Sequence, residues 1–122
     1  MQAHALAGLP LEACGLVAGH PDGTVVRFYP CANAAASATV YTVAPTDHLK
    51  ADREAEGEGL QIIGVMHSHT HTDAYPSPTD VAQAPDPDWH YLIVSLREDE
   101  PMLRSYRIVD GNIAEERVVL GE

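Results

Sequence analysis

The chain has 122 residues, of which 45% are hydrophobic, and this length suffices for one domain with a single core. Its formal net charge of −11 would repel nucleic-acid phosphates and an anionic membrane surface, so we predict neither as a partner. No run approaches the roughly 20 apolar residues of a membrane-spanning helix. The N-terminus lacks a basic region and carries Glu12 among its apolar residues, so we expect mature structure rather than a signal peptide.

The first half of the chain alternates short helical and strand patterns. The local patterns predict a helix over 2–8, strands over 13–19, 24–29 and 39–44, and a polar helix over 47–58. The turn signal Pro21-Asp-Gly23 joins the first two strands into a hairpin. The two cysteines, Cys14 and Cys31, allow one disulfide, but free thiols of a cytoplasmic protein are the favoured interpretation.

The second half begins with a β-branched apolar run. The patterns predict a central strand over 60–69, a two-turn helix over 77–84 ended by Pro85 and Pro87, and strands over 89–96, 103–109 and 113–120. A tight hairpin turn is expected over 110–112. Strands in early and late blocks, with the central strand between them, predict one mixed α/β domain over residues 1–122.

Histidines at alternate positions mark the end of the central strand. Side chains two apart in a strand share a face, so His67 and His69 point the same way. A helix starting just after the following loop places Asp80 over that strand end, where its carboxylate completes a three-ligand zinc site. His71 has the same parity, but we interpret it as a loop residue near the site because Asp80 completes the ligand count. Three ligands leave a fourth zinc position for water, as in a catalytic site.

Two further residues are candidates for chemistry, and both also have ordinary structural explanations. Ser77, Pro78 and Asp80 form a good helix start by themselves, with Ser at the N-cap and an acid three residues later. In the proposed site, the Ser77 hydroxyl would stabilise the oxyanion of a tetrahedral intermediate. Glu12 enters an apolar strand and is a candidate general base for the water; an exposed corner acid is the alternative.

These residues together resemble the JAMM (MPN+) metalloprotease family. The family motif is an upstream Glu, His-x-His, seven residues, Ser, two residues and Asp, matched by Glu12, His67, His69, Ser77 and Asp80. The segment from Pro10 to Gly19 also resembles the opening of the family. The resemblance implies a deaminase-like α/β/α sandwich with a mixed central sheet. It also implies one Zn²⁺ per chain on the two histidines and the aspartate, with the glutamate as general acid/base and the serine at the oxyanion.

Thr70 departs from the family pattern, since many members have Pro directly after the second His. The segments 67–77 and 103–111 are similar to a bacterial, especially actinobacterial, branch of the family. That branch removes cysteine from the C-terminus of a ubiquitin-like sulfur-carrier protein. The resemblance therefore implies hydrolysis of a Gly–Cys bond after a Gly-Gly tail, as a late step of cysteine biosynthesis, with the tail beside an exposed strand edge.

Three other functions remain open from the sequence. One is a JAMM isopeptidase of deubiquitinase type, which cleaves a ubiquitin-like protein from a lysine side chain. Another is a non-catalytic MPN-type interaction scaffold, although such scaffolds typically lack ligands that this chain has. The third is a simple metal-binding protein that uses His67, His69 and His71. Whether the chain forms a homodimer is also left open, as is any contact of His71 and Tyr75 with substrate.

Overall fold

The structure is a computed structural model that describes residues 1–84 and 86–119. Its strands are Cys14–Gly19 (β1), Val25–Cys31 (β2), Gln61–His69 (β3), His90–Ser95 (β4), Met102–Val109 (β5) and Asn112–Glu116 (β6). The helices are Gln2–Ala7 (α1), Pro45–Gly57 (α2) and Pro78–Ala82 (α3). No helix in this described part of the chain is long and apolar enough to cross a membrane.

The strands form one sheet in the order β2-β1-β3-β4-β5-β6. The central strand β3 runs antiparallel to β1 and parallel to β4, and the remaining neighbours are antiparallel. The predicted mixed sheet, with the histidine strand at its centre, is therefore confirmed. This order puts the start of β1 beside the end of β3, where Cys14 lies opposite His67.

Helices cover both faces of the sheet. Val65 and Met66 are neighbours on β3 and point to opposite sides, so they belong to different core clusters. Ala51 of α2 packs with Val65, and Ala5 of α1 packs with Met66. Val81 of α3 lies on the α2 side. The three layers confirm the expected α/β/α sandwich.

Local sequence signals explain most of the connections. Pro45 occupies the first turn of α2, where its missing N–H costs no hydrogen bond. Asp110 and Gly111 have φ values of 51° and 79° between β5 and β6, which is the two-residue turn with positive φ at both positions. The predicted hairpin turns and the helix after Pro45 are therefore confirmed.

The strand predicted over 39–44 is wrong. The structure has only an isolated bridge there, between Asn33 and Val43. Asn33 Oδ1 accepts from the Thr42 N–H at 2.9 Å, and Asn33 Nδ2 donates to the Val40 oxygen at 3.0 Å. The Asn33 side chain therefore makes hydrogen bonds with backbone groups that, in a strand, would bond to a neighbouring strand. The β-branched and aromatic residues that indicated a strand lie instead in a segment that crosses over the end of β3.

Two predicted elements end two or more residues earlier in the structure. The helix predicted over 77–84 is the five-residue α3, with Ser77 as its N-cap. Pro85, one of the two prolines expected to end it, lies outside the described residues. The strand predicted over 113–120 ends at Glu116, which pairs with Ser105 of β5. Leu120 lies outside the described residues.

Candidate active site and metal centre

Three potential ligand atoms converge at the end of β3. His67 Nε2 lies 3.0 Å from His69 Nε2, and Asp80 Oδ2 lies 3.1 Å and 2.9 Å from these two nitrogens. The side chains are only 2%, 4% and 7% exposed. Among the described residues, this is the one cluster of His, Cys, Asp and Glu side chains with ligand atoms close enough to hold a metal ion. The strand spacing supplies both imidazoles on one face, and α3 supplies the carboxylate.

The start of α3 fixes the position of Asp80. The Ser77 hydroxyl oxygen accepts from the Asp80 N–H at 3.1 Å, and the Ser77 N–H donates to Asp80 Oδ2 at 2.8 Å. This is the predicted capping box, and the capped carboxylate is the one that meets the histidines. The Ser77 hydroxyl proton has no acceptor among the described residues, so it is free to serve as a donor.

The electrostatics of the three groups favour an ionised carboxylate. Burial alone would raise the pKa of Asp80, but hydrogen bonds from His67, His69 and the Ser77 N–H hold it well below its usual range. Burial lowers the pKa of His67. Burial also acts to lower the pKa of His69, but hydrogen bonds to Asp80 and to a loop carbonyl outweigh it and raise that pKa. Asp80 is therefore an anion at neutral pH.

The two imidazoles are held differently. His69 Nδ1 lies 2.8 Å from the Asp73 backbone oxygen, which accepts only from an N–H; Nδ1 is therefore the protonated nitrogen of the neutral ring. When a metal ion takes the place of the Nε2 proton that bonds to Asp80, the Nε2 lone pair is therefore directed into the site. The His67 ring stacks on Tyr41, with ring centroids 4.2 Å apart and planes at 14°. Two imidazole nitrogens and one carboxylate oxygen are ligands that suit zinc, so the residues present fit that ion.

Glu12 is a buried acid beside this cluster, not an exposed corner residue. Its side chain is 4% exposed, and its Oε1 atom has no hydrogen-bond partner in the structure. Burial raises the pKa of Glu12 to about 7; the positive charge of His69 lowers that pKa and the negative charge of Asp80 raises it. Glu12 lies two residues before Cys14, which pairs with His67, so it is at the same end of the sheet as the ligand cluster. A carboxyl group with this pKa exchanges its proton readily at neutral pH.

Hydrogen bonds to the backbone hold Glu12 at the entry to β1. The backbone N–H of Glu12 donates to the Ser37 backbone oxygen at 2.8 Å, and the backbone oxygen of Glu12 accepts from Asn33 Nδ2 at 3.0 Å. Ser68 on β3 ties down the next residue, because its hydroxyl oxygen accepts from the Ala13 N–H at 2.8 Å. A hydrogen bond to the residue next to Glu12 therefore links the candidate base to β3, the strand that carries both histidines.

The other predicted loop residues lie outside the cluster. His71 is exposed and is not part of the potential metal group. Tyr75 is 56% exposed, and its ring meets the ring of Tyr106 edge to face. Thr70, where the family often has Pro, donates its hydroxyl to the Ala38 oxygen at 3.0 Å. No local sequence pattern singled out Asn33 or Tyr41, and Tyr41 lies in the segment that was wrongly predicted to be a strand.

Comparisons with known proteins identify the family of this chain. Residues 1–109 match the family described as prokaryotic homologs of the JAB domain. The chain is 46% identical over 121 residues to a CysO-cysteine peptidase of Mycobacterium tuberculosis, covering 97% of this chain and 82% of that protein. It is 38% identical over 88 residues to a desampylase of Haloferax volcanii, covering 70% and 63% respectively. A Desulfitobacterium hafniense protein of known solution structure superposes with a TM-score of 0.89 at 39% identity, covering 98% of this chain and 85% of that one.

The family match and these relatives show that the protein is a hydrolase and, more narrowly, a peptidase. The chain belongs to the prokaryotic JAB-domain family, so the expected membership of the JAMM (MPN+) group is confirmed.

Proposed function

We propose that this protein is a zinc-dependent peptidase that hydrolyses the Gly–Cys bond at the C-terminus of a ubiquitin-like sulfur-carrier protein. The observation that carries the chemistry is the convergence of three buried ligand atoms beside a buried glutamate whose pKa is raised to about 7. The substrate is supported by a relative 46% identical over nearly the whole chain and named a CysO-cysteine peptidase. The product would be free cysteine.

One Zn²⁺ would be held by His67 Nε2, His69 Nε2 and Asp80 Oδ2. A bound zinc ion supplies a Lewis acid that polarises a carbonyl group and lowers the pKa of a water molecule to about 7. The protein keeps these ligands in the right form: Asp80 is ionised, and His69 carries its proton on Nδ1. Three protein ligands leave one position open, which suits catalysis rather than a closed structural site.

Glu12 would carry the proton through the reaction. Its carboxylate takes a proton from the attacking water, whose oxygen forms a bond to the scissile carbonyl carbon. It then gives that proton to the departing amine nitrogen as the C–N bond breaks, so the products are a glycine carboxylate and the amine of cysteine. Burial supports both halves of this role, because a pKa of about 7 makes the residue a base and an acid at the same pH.

Ser77 would stabilise the negative charge that develops on the carbonyl oxygen. Its hydroxyl oxygen already accepts from the Asp80 N–H, which fixes the oxygen while leaving the proton to donate. A donor fixed before the reaction needs no reorganisation when the charge appears.

A tail of glycines suits the surroundings of the ligand cluster. The Tyr41 ring covers one side of His67, and the 33–43 segment packs against the backbone of Glu12. We infer that a tail of glycines, which has no side chains, passes these residues more easily than a tail with side chains. We place the reaction in the cytoplasm, where free thiols such as Cys14 and Cys31 are maintained.

Intact mass spectrometry tests this proposal. The purified protein is incubated with a sulfur-carrier protein ending Gly-Gly-Cys and, separately, with a carrier joined through its Gly-Gly end to a lysine side chain. We expect the first substrate to lose the mass of one cysteine, and a chelator to prevent the loss. Cleavage of the lysine-linked substrate alone would favour the isopeptidase, an alternative supported by the desampylase relative. No change in either substrate would favour the non-catalytic scaffold.

A further inference from the structure

Three consecutive carbonyl oxygens in the loop after β3 each accept a hydrogen bond from a different side chain. The pairs are the Ser95 hydroxyl with the Thr72 oxygen at 2.5 Å, the His69 Nδ1–H with the Asp73 oxygen at 2.8 Å, and the Tyr106 hydroxyl with the Ala74 oxygen. The middle bond belongs to a residue of the ligand cluster. The two outer bonds come from the sheet, at the end of β4 and from β5.

Ser95 and Tyr106, which donate the two outer hydrogen bonds, are well placed to fix the Asp73 oxygen between them. Tyr106 and Ala74 are 2% and 4% exposed, so their contact is shielded from competing water, and the Ser95 side of the other contact is also buried, at 5% exposed. Asp73 lies between the two anchored residues, and its peptide plane cannot rotate freely while both neighbours are held. The ion pair between the Asp73 carboxylate and Arg97 also spans the loop, but both side chains are more than half exposed and it contributes little.

We propose that Tyr106 and Ser95 are positioning residues for His69. They hold the loop so that the Asp73 oxygen keeps the proton of His69 on Nδ1, which leaves the Nε2 lone pair facing His67 and Asp80. This inference rests on the proposed zinc site. Hydrogen-bond partners of metal-binding histidines commonly change metal affinity by 10–100-fold when removed. Here the partner carbonyl belongs to the backbone, so the residues open to substitution are the ones that fix it.

The chain supplies a matched control in Tyr91. This residue lies directly opposite Tyr106 in the β4–β5 pair, and each side chain is 2% exposed. The Tyr91 hydroxyl donates to the Asp86 oxygen at 2.7 Å, on a different loop from the one that Tyr106 reaches. Tyr106→Phe and Tyr91→Phe therefore remove the same group from neighbouring buried rings. They differ in which loop is released.

The first measurement is the zinc affinity of the metal-free full-length chain, titrated with Zn²⁺ against a chromophoric chelator at about pH 8. We expect Tyr106→Phe to weaken zinc binding about 10-fold and Tyr91→Phe to leave it within about twofold of wild type. Ser95→Ala should act in the same direction as Tyr106→Phe. It also keeps the inference testable if Tyr106→Phe fails to fold.

The second measurement follows the His69 Nδ1 proton in zinc-loaded protein by nitrogen-15 histidine NMR. Its exchange with water should be faster in Tyr106→Phe than in wild type and in Tyr91→Phe. Equal zinc affinity in the two phenylalanine variants would overturn the inference while leaving the zinc site in place. Weaker affinity with unchanged Nδ1 exchange would also overturn it, because the effect would not run through His69. Failure of the wild-type protein to bind zinc would remove the zinc site and this inference together.

Discussion

The side-chain amide of Asn33 donates a hydrogen bond to the backbone oxygen of Glu12 at 3.0 Å. Its second N–H donates to the Val40 oxygen at 3.0 Å, and its oxygen accepts from the N–H groups of Ala35 and Thr42 at 3.0 Å and 2.9 Å. All four hydrogen-bonding positions of this amide are therefore used. One side chain joins the backbone of the proposed base to the segment that lies over the histidines.

Asn33→Asp should lower turnover while leaving zinc bound. The change replaces two N–H donors with a carboxylate oxygen that faces the carbonyl oxygens of Glu12 and Val40. We expect a loss of about 1–3 kcal/mol in the free energy of unfolding, since partly buried acceptors lose their donors. Glu12 should then be displaced and kcat should fall, while zinc stoichiometry stays the same because no ligand is touched. Urea unfolding, steady-state kinetics and metal analysis check these three quantities.

Asn112→Asp is the control for the added charge. Asn112 is exposed in the β5–β6 hairpin, and its side chain makes no hydrogen bond within the described part of the chain. This variant should match wild type in stability to within about 0.5 kcal/mol and in turnover. Equal losses in the two variants would show that net charge, not the Asn33 hydrogen bonds, matters.

Glu12→Gln should reduce turnover by about 10²–10⁴-fold, the usual contribution of a general base. The amide has nearly the same shape as the carboxyl group but cannot take a proton from water. Zinc content should be unchanged, because Glu12 is not among the three converging ligands. The measurement is single-turnover hydrolysis of the carrier substrate beside metal analysis of the same sample. Full activity in this variant would remove Glu12 from the mechanism.

The raised pKa of Glu12 also predicts a pH dependence of stability in metal-free protein. The pKa of Glu12 is about 7 in the folded chain and 4.5 as its ordinary value, so the folded state binds this proton more tightly. The resulting stabilisation is fully present below about pH 4.5 and is lost as the pH rises through 7. Glu12→Gln should therefore be more stable than wild type at pH 8 by on the order of 1–3 kcal/mol, with the difference shrinking towards pH 4. Urea unfolding across this range measures it, and a constant difference would contradict the assignment.

His69→Ala should lose zinc, whereas His71→Ala should keep it. The two histidines are two residues apart, but His69 is buried with its Nε2 atom 2.9 Å from Asp80 Oδ2, and His71 is exposed. Metal analysis after dialysis and activity with the carrier substrate compare the variants. If His71→Ala also lost its zinc, a three-histidine site would replace the proposed ligand set.

Sequence patterns predicted the positions of site residues correctly where local rules determine the geometry. Strand periodicity placed His67 and His69 on one face, and helix-capping chemistry placed Ser77 and Asp80 at the start of α3. The family motif linked Glu12 to them across more than fifty residues. The roles of these five residues, and the extent of the domain over residues 1–122, remain predictions.

Contacts that depend on tertiary packing could not be predicted in this way. Asn33 prevents a strand over 39–44 by bonding to its backbone, and composition carries no sign of that contact. The stacking of Tyr41 on His67 follows from the same change of path. Ser95 and Tyr106 lie on strands that were predicted, but the loop oxygens that they reach are set by the packing of the loop on the sheet.

The central position of β3 has a consequence for how a substrate tail approaches. Neighbouring strands are about 4.8 Å apart, so a tail added outside β2 would lie about 14 Å from β3, and one added outside β6 would lie about 19 Å away. Neither lateral edge brings a peptide bond within reach of the histidine nitrogens. If the substrate is a carrier tail as proposed, the strand edge beside it is therefore not a lateral edge of the sheet. We expect the tail to approach the end of β3 beside the 33–43 segment.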